Sequence, residues 1–161
     1  GWIKELNTIH GPETEEYGIS STVFRSSRPF HPQRLWNYLN VDFPNNILRT
    51  KGLFWIAALP DYALNFSQAG GSLKIENAGN WWASMPLQER LSYTDYLENR
   101  QDIESRWDMG FGDRLNELVL IGQDMDKEQL NNELTSCLLS HKELICFWQG
   151  EKFENPFERV L

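Results

Sequence analysis

The stretch that decides the predicted fold is ILRTKGLFWIAALPDYALNFSQAGG, which occupies residues 47–71. Its middle, Leu53–Leu59, carries no charge, and a continuous apolar run of this length is typical of a strand buried on both faces. A short buried helix is the alternative, but Gly52 before the run and Pro60-Asp61 after it are turn residues that favour the strand.

The residues after this run predict two further strands. In Tyr62–Phe66 apolar side chains alternate with small or polar ones, which is the period of a strand with one covered face. Ala69-Gly70-Gly71 then breaks the chain, and Ser72–Ile75 begins another short strand. Residues 47–75 therefore predict the centre of an antiparallel sheet.

The chain around this centre predicts more strands and two helices. Tyr17–Ser26 is rich in β-branched and aromatic residues, which predicts the first strand. Apolar residues at helical spacing predict a helix from about residue 32 to 41. Trp81–Ala83 is expected to form a short strand. A second helix begins near Pro86 and either lies on the surface or breaks and resumes over residues 98–108.

The C-terminal third adds a strand and a helix with a clear start signal. Glu117–Ile121 predicts a strand, and Asp126 with Gln129 has the spacing of a helix capping box. That helix is expected to end near Ser140, and Leu144–Trp148 is interpreted as a final edge strand.

The order of these elements favours an α+β fold, because helices interrupt runs of strands instead of alternating with them. We predict a mainly antiparallel sheet of about four to five strands with helices packed on one face. Residues 17–161 are expected to form this domain, with an extended segment at Asn155–Phe157. Residues 1–16 are expected to be a flexible lead-in or linker.

The composition limits the classes of partner that the protein could bind. The 161 residues suit one domain, and 40% of them are hydrophobic, which is ordinary for a globular protein. A net charge of −8 argues against nucleic acid and against an anionic membrane as partners, because both require a basic surface. The charge is compatible with cation binding, although solubility explains it more simply.

The expected compartment is the cytoplasm. Two cysteines, Cys137 and Cys146, are too few for a disulfide scaffold, and no apolar stretch is long enough to span a membrane. The N-terminus lacks the pattern of a signal peptide. Because the chain does not begin with Met, we expect it to be a piece of a longer protein.

Motifs for catalysis are missing from the sequence. Neither glycine-rich spot, Gly70-Gly71 or Gly110–Gly112, is followed by the Lys-Ser/Thr pair of a P-loop, and the second is interpreted as a tight turn. No Gly-x-Ser-x-Gly motif occurs, and Cys137 and Cys146 lie in apolar surroundings that predict inert buried thiols. An isolated hydrolase would need a nucleophile that the sequence does not offer.

Metal binding has weak sequence support. His10, His31 and His141 are the histidine candidates, but they are far apart, and none has another His or Cys at i+2 to i+4. His31 directly precedes a predicted helix, where capping or packing would explain it. The acidic pairs Asp102/Glu104 and Asp124/Asp126 are more typical of solvated surfaces and caps. An autonomous metal-binding module that uses His and carboxylates stays open as an alternative function.

The tryptophans offer a possible binding surface. Trp36, Phe54 and Trp55 are predicted to lie in the core. Trp81 and Trp82 would point to opposite sides of an extended segment, so one of the two could be exposed. An exposed Trp would indicate a contact surface, since Trp is enriched at the centre of interfaces.

Several ordered strings together identify a family. They are Gly18-Ile19-Ser20-Ser21, Phe24-Arg25, Arg28-Pro29-Phe30-His31-Pro32, Leu48–Trp55, Ser67–Gly71, Trp81-Trp82-Ala83, Trp107, Gly112-Asp113-Arg114 and Glu117–Gly122. In these strings the chain resembles the C-terminal domain of CobW-like proteins, a family of P-loop GTPases that act as metallochaperones. The resemblance runs from about Gly18 to Leu139, and the Asn155–Phe157 tail is compatible with it.

The resemblance implies a domain without chemistry of its own. Full-length relatives carry an N-terminal P-loop GTPase domain with a Cys-x-Cys-Cys metal motif, and they serve zinc supply, cobalamin synthesis or nitrile hydratase activation. This chain contains neither motif. We therefore expect GTP, magnesium and the main zinc or cobalt site to belong to a missing domain, and this chain to be a non-catalytic regulatory or client-interaction domain. Its expected partners are the GTPase domain of the same protein and a metalloprotein client.

The family strings also supply a candidate interaction face. It consists of basic, aromatic and acidic residues: Arg28, His31, Arg49, Lys51, Trp55, Trp81, Trp82, Asp113 and Arg114. Structural pairing between the arginines and the aspartate would explain part of this set equally well.

Overall fold

The sheet has five strands, all antiparallel to their neighbours. The structure is a computed structural model that describes residues 17–161, so the predicted lead-in at residues 1–16 lies outside the described residues. The strands are β1 (Ile19–Ser26), β2 (Ile47–Phe54), β3 (Tyr62–Ala69), β4 (Ser72–Asn80) and β5 (Asn116–Gln123). They lie in the order β1-β5-β2-β3-β4. The predicted α+β class with a mainly antiparallel sheet is confirmed.

Helices fill the connections and the C-terminal part. They are α1 (Pro32–Asn37), α2 (Leu87–Arg90), α3 (Thr94–Ser105), α4 (Lys127–Ser136) and α5 (His141–Trp148). A π-helical turn, Tyr38–Asp42, continues α1, and 3₁₀ turns span Trp82–Ser84 and Pro156–Arg159. The helix predicted over about residues 32–41 is therefore confirmed in extent, with a π-helical second half. The helix predicted after Pro86 breaks and resumes.

The main core lies on one face of the sheet. Alternate residues of the strands, among them Phe24, Phe54, Leu64, Phe66, Leu118 and Leu120, form one buried cluster with residues from the helices, namely Leu35, Leu130, Leu134 and Phe157. Each fully buried Leu or Phe contributes about 1.5–3 kcal/mol from loss of contact with water. Because these partners come from α1, α4 and the last 3₁₀ turn, this face is the covered one.

The central apolar run is buried, but most of it is not strand. β2 begins at Ile47 and ends at Phe54, so the predicted strand Leu53–Leu59 is displaced towards the N-terminus. After Phe54, the Trp55 amide donates at 2.9 Å to the side-chain Oδ1 of Asn116 and not to a backbone carbonyl of a neighbouring strand, and Phe30 bridges to Ile56. The run is apolar because Trp55 and Ile56 lie inside the molecule with no exposed surface, whatever their secondary structure.

Two predictions on the far edge of the sheet are corrected. β4 continues to Asn80, well beyond the predicted Ser72–Ile75. The predicted strand Trp81–Ala83 is instead a 3₁₀ turn, because the Asp113 carboxylate accepts hydrogen bonds from the amides of Trp82 and Ala83.

The predicted edge strand at Leu144–Trp148 is wrong, because these residues form α5. The Ser140 hydroxyl accepts from the Glu143 amide at 3.2 Å, and the Glu143 carboxylate accepts from the Ser140 amide at 2.8 Å. This capping box begins a helix where an apolar run alone had suggested a strand.

The other predicted helix start is confirmed in part. Asp126 caps α4 by accepting from the Gln129 amide at 3.0 Å, but the Gln129 side chain donates to Glu133 and does not close a capping box. α4 ends at Ser136, short of Ser140. Near the C-terminus, Asn155 caps the 3₁₀ turn that replaces the predicted extended tail.

Candidate interaction site

A cleft of about 530 Å³ opens on the second face of the sheet. One side of it is formed by Lys51 and Leu53 of β2 and by Glu117 and Val119 of β5. The other side is formed by Ile103 of α3 and by Arg106, the residue that follows this helix. Five of the nine residues predicted for the interaction face line this cleft, namely Lys51, Trp81, Trp82, Asp113 and Arg114. We name this space the β2–α3 cleft.

Trp55 supports the β2–α3 cleft from inside. Its side chain has no exposed surface, and its indole N–H donates to the Ser27 carbonyl at 3.1 Å. Phe111 and Phe147 pack edge-on against the ring, at centroid distances of 5.7 and 6.0 Å. Trp55 is therefore a core residue, as its sequence context predicted, and it does not offer a surface to a partner.

Arg114 links Trp55 to the wall of the cleft. Its guanidinium carbon lies 5.3 Å from the centre of the Trp55 ring, a cation–π distance. Its Nε donates to the Pro60 carbonyl at 2.7 Å, and one terminal nitrogen donates to the Phe111 carbonyl at 3.2 Å. Burial lowers the pKa of Arg114, but an arginine keeps its charge at neutral pH.

Asp113 holds the aromatic wall of the cleft in place. Both carboxylate oxygens accept hydrogen bonds from backbone amides, from Trp82 at 2.9 Å and from Ala83 at 2.8 Å. Its neighbour Gly112 has a φ of +69°, and an added Cβ would lie 2.3 Å from the Ala83 Cβ. The string Gly112-Asp113-Arg114 is thus fixed by structural contacts, and the partners of Asp113 are amides and not an arginine side chain.

Neither member of the tryptophan pair is exposed. Trp81 is 8% exposed, and Trp82 is half-buried against the rings of Tyr93 and Tyr96, at 5.8 and 5.2 Å. Within residues 17–161, the buried Trp81 Nε1 has no hydrogen-bond partner. Among the tryptophans of residues 17–161, the exposed one is Trp148 at 57%, on the helix that the sequence pattern had misassigned.

The remaining predicted residues lie away from the cleft lining. A terminal nitrogen of Arg28 donates to the Leu139 carbonyl at 3.1 Å, and this bond ties the segment after β1 to the one after α4. Arg49 lies on β2 two residues before Lys51, with its side chain on the same face of the sheet. The cluster that sequence strings suggested is therefore divided between separate regions.

His31 belongs to a junction between α1 and α5. Its Nδ1 accepts from the Arg34 amide at 3.3 Å and caps α1, as the sequence position suggested. Its Nε2 lies 3.5 Å from the Glu143 carboxylate, which accepts two further bonds from the Arg34 guanidinium at 2.6 and 2.8 Å. We name His31, Arg34 and Glu143 the α1–α5 junction.

The charges of this junction shift the acidity of its members. The hydrogen bonds from Arg34 lower the pKa of Glu143 to about 2, with a smaller contribution from Ser140. Burial lowers the pKa of His31, Arg34 acts in the same direction, and Glu143 opposes both. Glu143 is therefore a bound carboxylate whose oxygens are already occupied, which makes it a poor metal ligand.

The described part of the chain holds no arrangement suited to a metal. Across residues 17–161, no group of three or more His, Cys, Asp or Glu side chains is placed to bind an ion. His141 is the first residue of α5 and is exposed, and His10 lies outside the described residues. Cys137 is buried, and burial raises the pKa of its thiol. Cys146 is only half-buried, so the prediction of a buried thiol holds for Cys137 alone.

Sequence reasoning missed the α3 side of the cleft. Ile103 and Arg106 lie in a stretch that looked like a solvated surface because charged residues dominate it. Their i, i+3 spacing, which puts both on one side of a helix, was the available signal.

No helix in residues 17–161 is long and apolar enough to cross a membrane.

Comparison with known proteins identifies relatives of this chain. A zinc-regulated GTPase metalloprotein activator of Dictyostelium discoideum is 38% identical over 148 residues, which cover 90% of this chain and 30% of that protein. A zinc chaperone of Mycobacterium tuberculosis is 34% identical over 139 residues, which cover 86% of this chain and 34% of that protein. The chain thus spans about a third of the length of these relatives.

The fold and the domain family agree with these relatives. A crystal structure of the Zn(II)-bound YjiA GTPase from E. coli matches 81% of this chain and 33% of its own, with a TM-score of 0.51 and 16% identity, which shows a similar fold. The family described as the cobalamin synthesis protein cobW C-terminal domain matches residues 19–138. Because this match covers all five strands and four of the five α-helices described, it confirms the resemblance found in the sequence, and the chain belongs to the family of cobW C-terminal domains.

Proposed function

We propose that this chain is a non-catalytic interaction domain of a zinc-handling GTPase, and that it contacts the GTPase domain through the β2–α3 cleft. The observation that carries the proposal is the convergence of five residues of the family strings on this one cleft. Among the described residues that line it there is no cysteine or histidine, so Ser27 has no histidine in the lining to act as its base. Binding is therefore the role that the cleft supports best.

The charges of the cleft indicate what kind of surface it would bind. Lys51, Arg106 and Arg114 line it, although the chain as a whole carries a net charge of −8. The two acidic residues of the lining are engaged, since Asp113 accepts from backbone amides and Glu117 pairs with Arg25 at 2.7 Å. Among the cations, Arg106 pairs with Asp102, and Arg114 donates to the carbonyls of Pro60 and Phe111. A basic rim around an apolar floor of Leu53 and Val119 suits an acidic surface with an apolar anchor.

Zinc and GTP enter the proposal through the relatives. The two relatives are named for zinc, one of them also as a GTPase, and this chain corresponds to only about a third of each. The remaining two thirds would supply nucleotide hydrolysis, magnesium and the main metal site. A metalloprotein client is the second partner that we propose, and cobalamin synthesis is the process in the family's description.

The test compares GTP turnover with and without this domain. The GTPase domain of the same polypeptide is prepared alone, and this chain is added to it at increasing concentration. We expect binding and a changed turnover rate. Lys51→Glu combined with Arg106→Glu should weaken binding about tenfold or more, since it reverses the charge of the rim. Lys152→Glu combined with Arg159→Glu is the matched control, because both residues are exposed and lie outside the cleft.

Two results would overturn the proposal. One is a GTPase domain that neither binds this chain nor changes its turnover. The other is an equal effect of the cleft variant and its control, which would mean that net charge and not the cleft decides binding.

An autonomous metal-binding module is the alternative, and it is tested separately. Zinc and cobalt are titrated into this chain by calorimetry at neutral pH without a chelating buffer. Tight binding at a fixed stoichiometry that is lost on changing His10, His31 and His141 would favour the metal module. Weak adsorption without a fixed stoichiometry would leave protein contact as the function.

A further inference from the structure

The outer edge of β4 is the most open edge of the sheet. β4 ends the strand order, and eight of its nine residues are exposed, whereas only Arg25 is exposed along β1 at the other edge. Within residues 17–161, nothing pairs with the backbone groups that β4 turns outward. An open edge of this kind is a template for another strand.

The hairpin between β3 and β4 determines which backbone groups point outward. Ala69 and Ser72 flank the two-residue loop Gly70-Gly71, in which Gly70 has a φ of +56°. In such a hairpin the carbonyl of the first flanking residue accepts from the amide of the second, so the backbone of Ser72 faces β3. Since the direction alternates along a strand, the outward amides and carbonyls belong to Leu73, Ile75 and Asn77.

The usable edge ends at Asn77. The pairing of β3 with β4 shifts between Ala63 and Leu64, which is the mark of a β-bulge, and Gly79 on β4 has a φ of +117°. The Asn77 side chain accepts from the Gly79 amide at 2.8 Å and closes this kink. Bulges of this kind turn an edge away from continued pairing.

The charges on β4 favour one alignment of two copies of this edge over others. Lys74 and Glu76 are exposed neighbours on the second face, 2.9 Å apart. A two-fold axis at Ile75 places each Lys74 opposite the Glu76 of the other copy. An axis at Lys74 or at Glu76 would place like charges opposite each other, which is unfavourable.

We propose that this chain forms a symmetric dimer by antiparallel pairing of β4 with β4 of a second copy, centred on Ile75. Ile75 then pairs with its own copy, and Leu73 pairs with Asn77 on either side, so all three outward positions find partners. Leu73, which is 38% exposed, becomes covered by the second strand. The interface uses one surface patch twice, as a two-fold dimer requires.

The test is sedimentation velocity of the full 161-residue chain over a wide concentration range. We expect reversible association of monomer to dimer. Glu76→Lys places lysines opposite each other at two positions and should raise the dissociation constant about tenfold or more. Glu154→Lys changes the net charge equally at an exposed position outside β4 and is the matched control.

A charge exchange and a backbone block sharpen the test. Lys74→Glu with Glu76→Lys restores opposite charges and should return the dissociation constant to within about threefold of the original. Leu73→Pro removes an outward amide that β3 does not need, so dimerisation should be lost while the circular dichroism spectrum and melting temperature stay nearly unchanged.

A chain that stays monomeric at every concentration would overturn the dimer. So would a dimer that responds equally to Glu76→Lys and to Glu154→Lys, since it would then form through another surface. The β2–α3 cleft shares no residue with this edge, so either result leaves the proposed interaction with the GTPase domain untouched.

Discussion

The β2–α3 cleft and the α1–α5 junction both contain residues that the family strings singled out, yet they differ in how their charges are satisfied. At the junction, the carboxylate of Glu143 and the guanidinium of Arg34 bind each other, and Arg34 also donates to the carbonyls of Ser136 and Leu138. In the cleft, the side chains of Lys51 and Arg106 line an open space, and Arg106 pairs with the exposed Asp102 carboxylate.

This difference separates family-string residues that maintain the fold from those that are available to contact a partner. Arg28, His31 and Asp113 maintain the fold, because their polar side-chain atoms bind backbone groups inside it. Lys51 belongs to the family strings and lines the open space of the cleft, which makes it our candidate for a contact residue. The following predictions test the distinction, from the largest expected effect to the smallest.

Trp55→Ala should have the largest effect on stability, although Trp55 was a candidate for the interaction face. Removing a fully buried tryptophan leaves a cavity and should cost about 4 kcal/mol in the free energy of unfolding, measured by urea denaturation. Trp148→Ala is the control, because that ring is 57% exposed and its stacking on Phe111 is worth about 1 kcal/mol. Equal losses from the two variants would mean that Trp55 is not the support of the cleft.

Glu143→Ala should have the next largest effect, because it removes both the Arg34 pair and half of the α5 capping box. We expect a loss of about 2 kcal/mol, limited by the partial exposure of both side chains. Urea denaturation of this variant and of Glu154→Ala, an exposed glutamate outside the junction, measures the difference. A junction variant as stable as its control would contradict the structural role.

Stability should fall in two stages as the pH is lowered. The folded state lowers the pKa of His31, so it disfavours the charged imidazole, and stability is lost as the pH falls below the ordinary value of 6.5. The lowered pKa of Glu143 adds stability above its ordinary value of 4.5, which is lost as the pH falls from there towards about 2. Thermal unfolding across this pH range measures both stages.

His31→Asn isolates the first of these stages. Asn is a good N-cap, so the variant should keep its stability near neutral pH to within about 1 kcal/mol. The dependence on pH just below 6.5 should become weaker, while the more acidic stage remains. An unchanged pH profile would show that another group causes the first stage.

Lys51→Glu should have the smallest effect on stability. Substitution of a cleft-lining lysine should change the free energy of unfolding by about 0.5 kcal/mol or less. Its effect should appear instead as weaker binding to the GTPase domain, measured by calorimetry. If Lys51→Glu destabilised the domain as much as Glu143→Ala, the distinction between cleft and junction would fail.

The sheet could be predicted from the sequence because its strands have local signals. Alternation in Tyr62–Phe66 and the apolar run Glu117–Ile121 both mark real strands, β3 and β5. These local signals failed where tertiary contacts determine the path of the backbone. Trp55 leaves the sheet because the Asn116 side chain takes its amide, and the Trp82 segment turns because Asp113 binds two of its amides.

The interaction site was harder to predict than the fold. The family strings contain Lys51, which lines the cleft, and Arg28, which binds the Leu139 carbonyl, and nothing in the sequence separates these two roles. Arg114 combines them, because it lines the cleft and also donates to the Pro60 carbonyl. Arg106 lines the cleft from the end of α3, a helix whose charged composition resembles any solvated surface. Which side of such a helix meets the sheet depends on the path of the chain between β4 and β5, and no local pattern encodes that path.

The β-bulge beside Gly79 has a consequence for the size that any assembly can reach. A sheet with two long, flat, open edges could add chain after chain and grow into a fibre. Here the kink leaves five residues of β4 for pairing, and the β1 edge is half-buried. Strand addition through β4 would therefore stop at two copies, which gives an aromatic-rich antiparallel sheet protection against open-ended polymerisation.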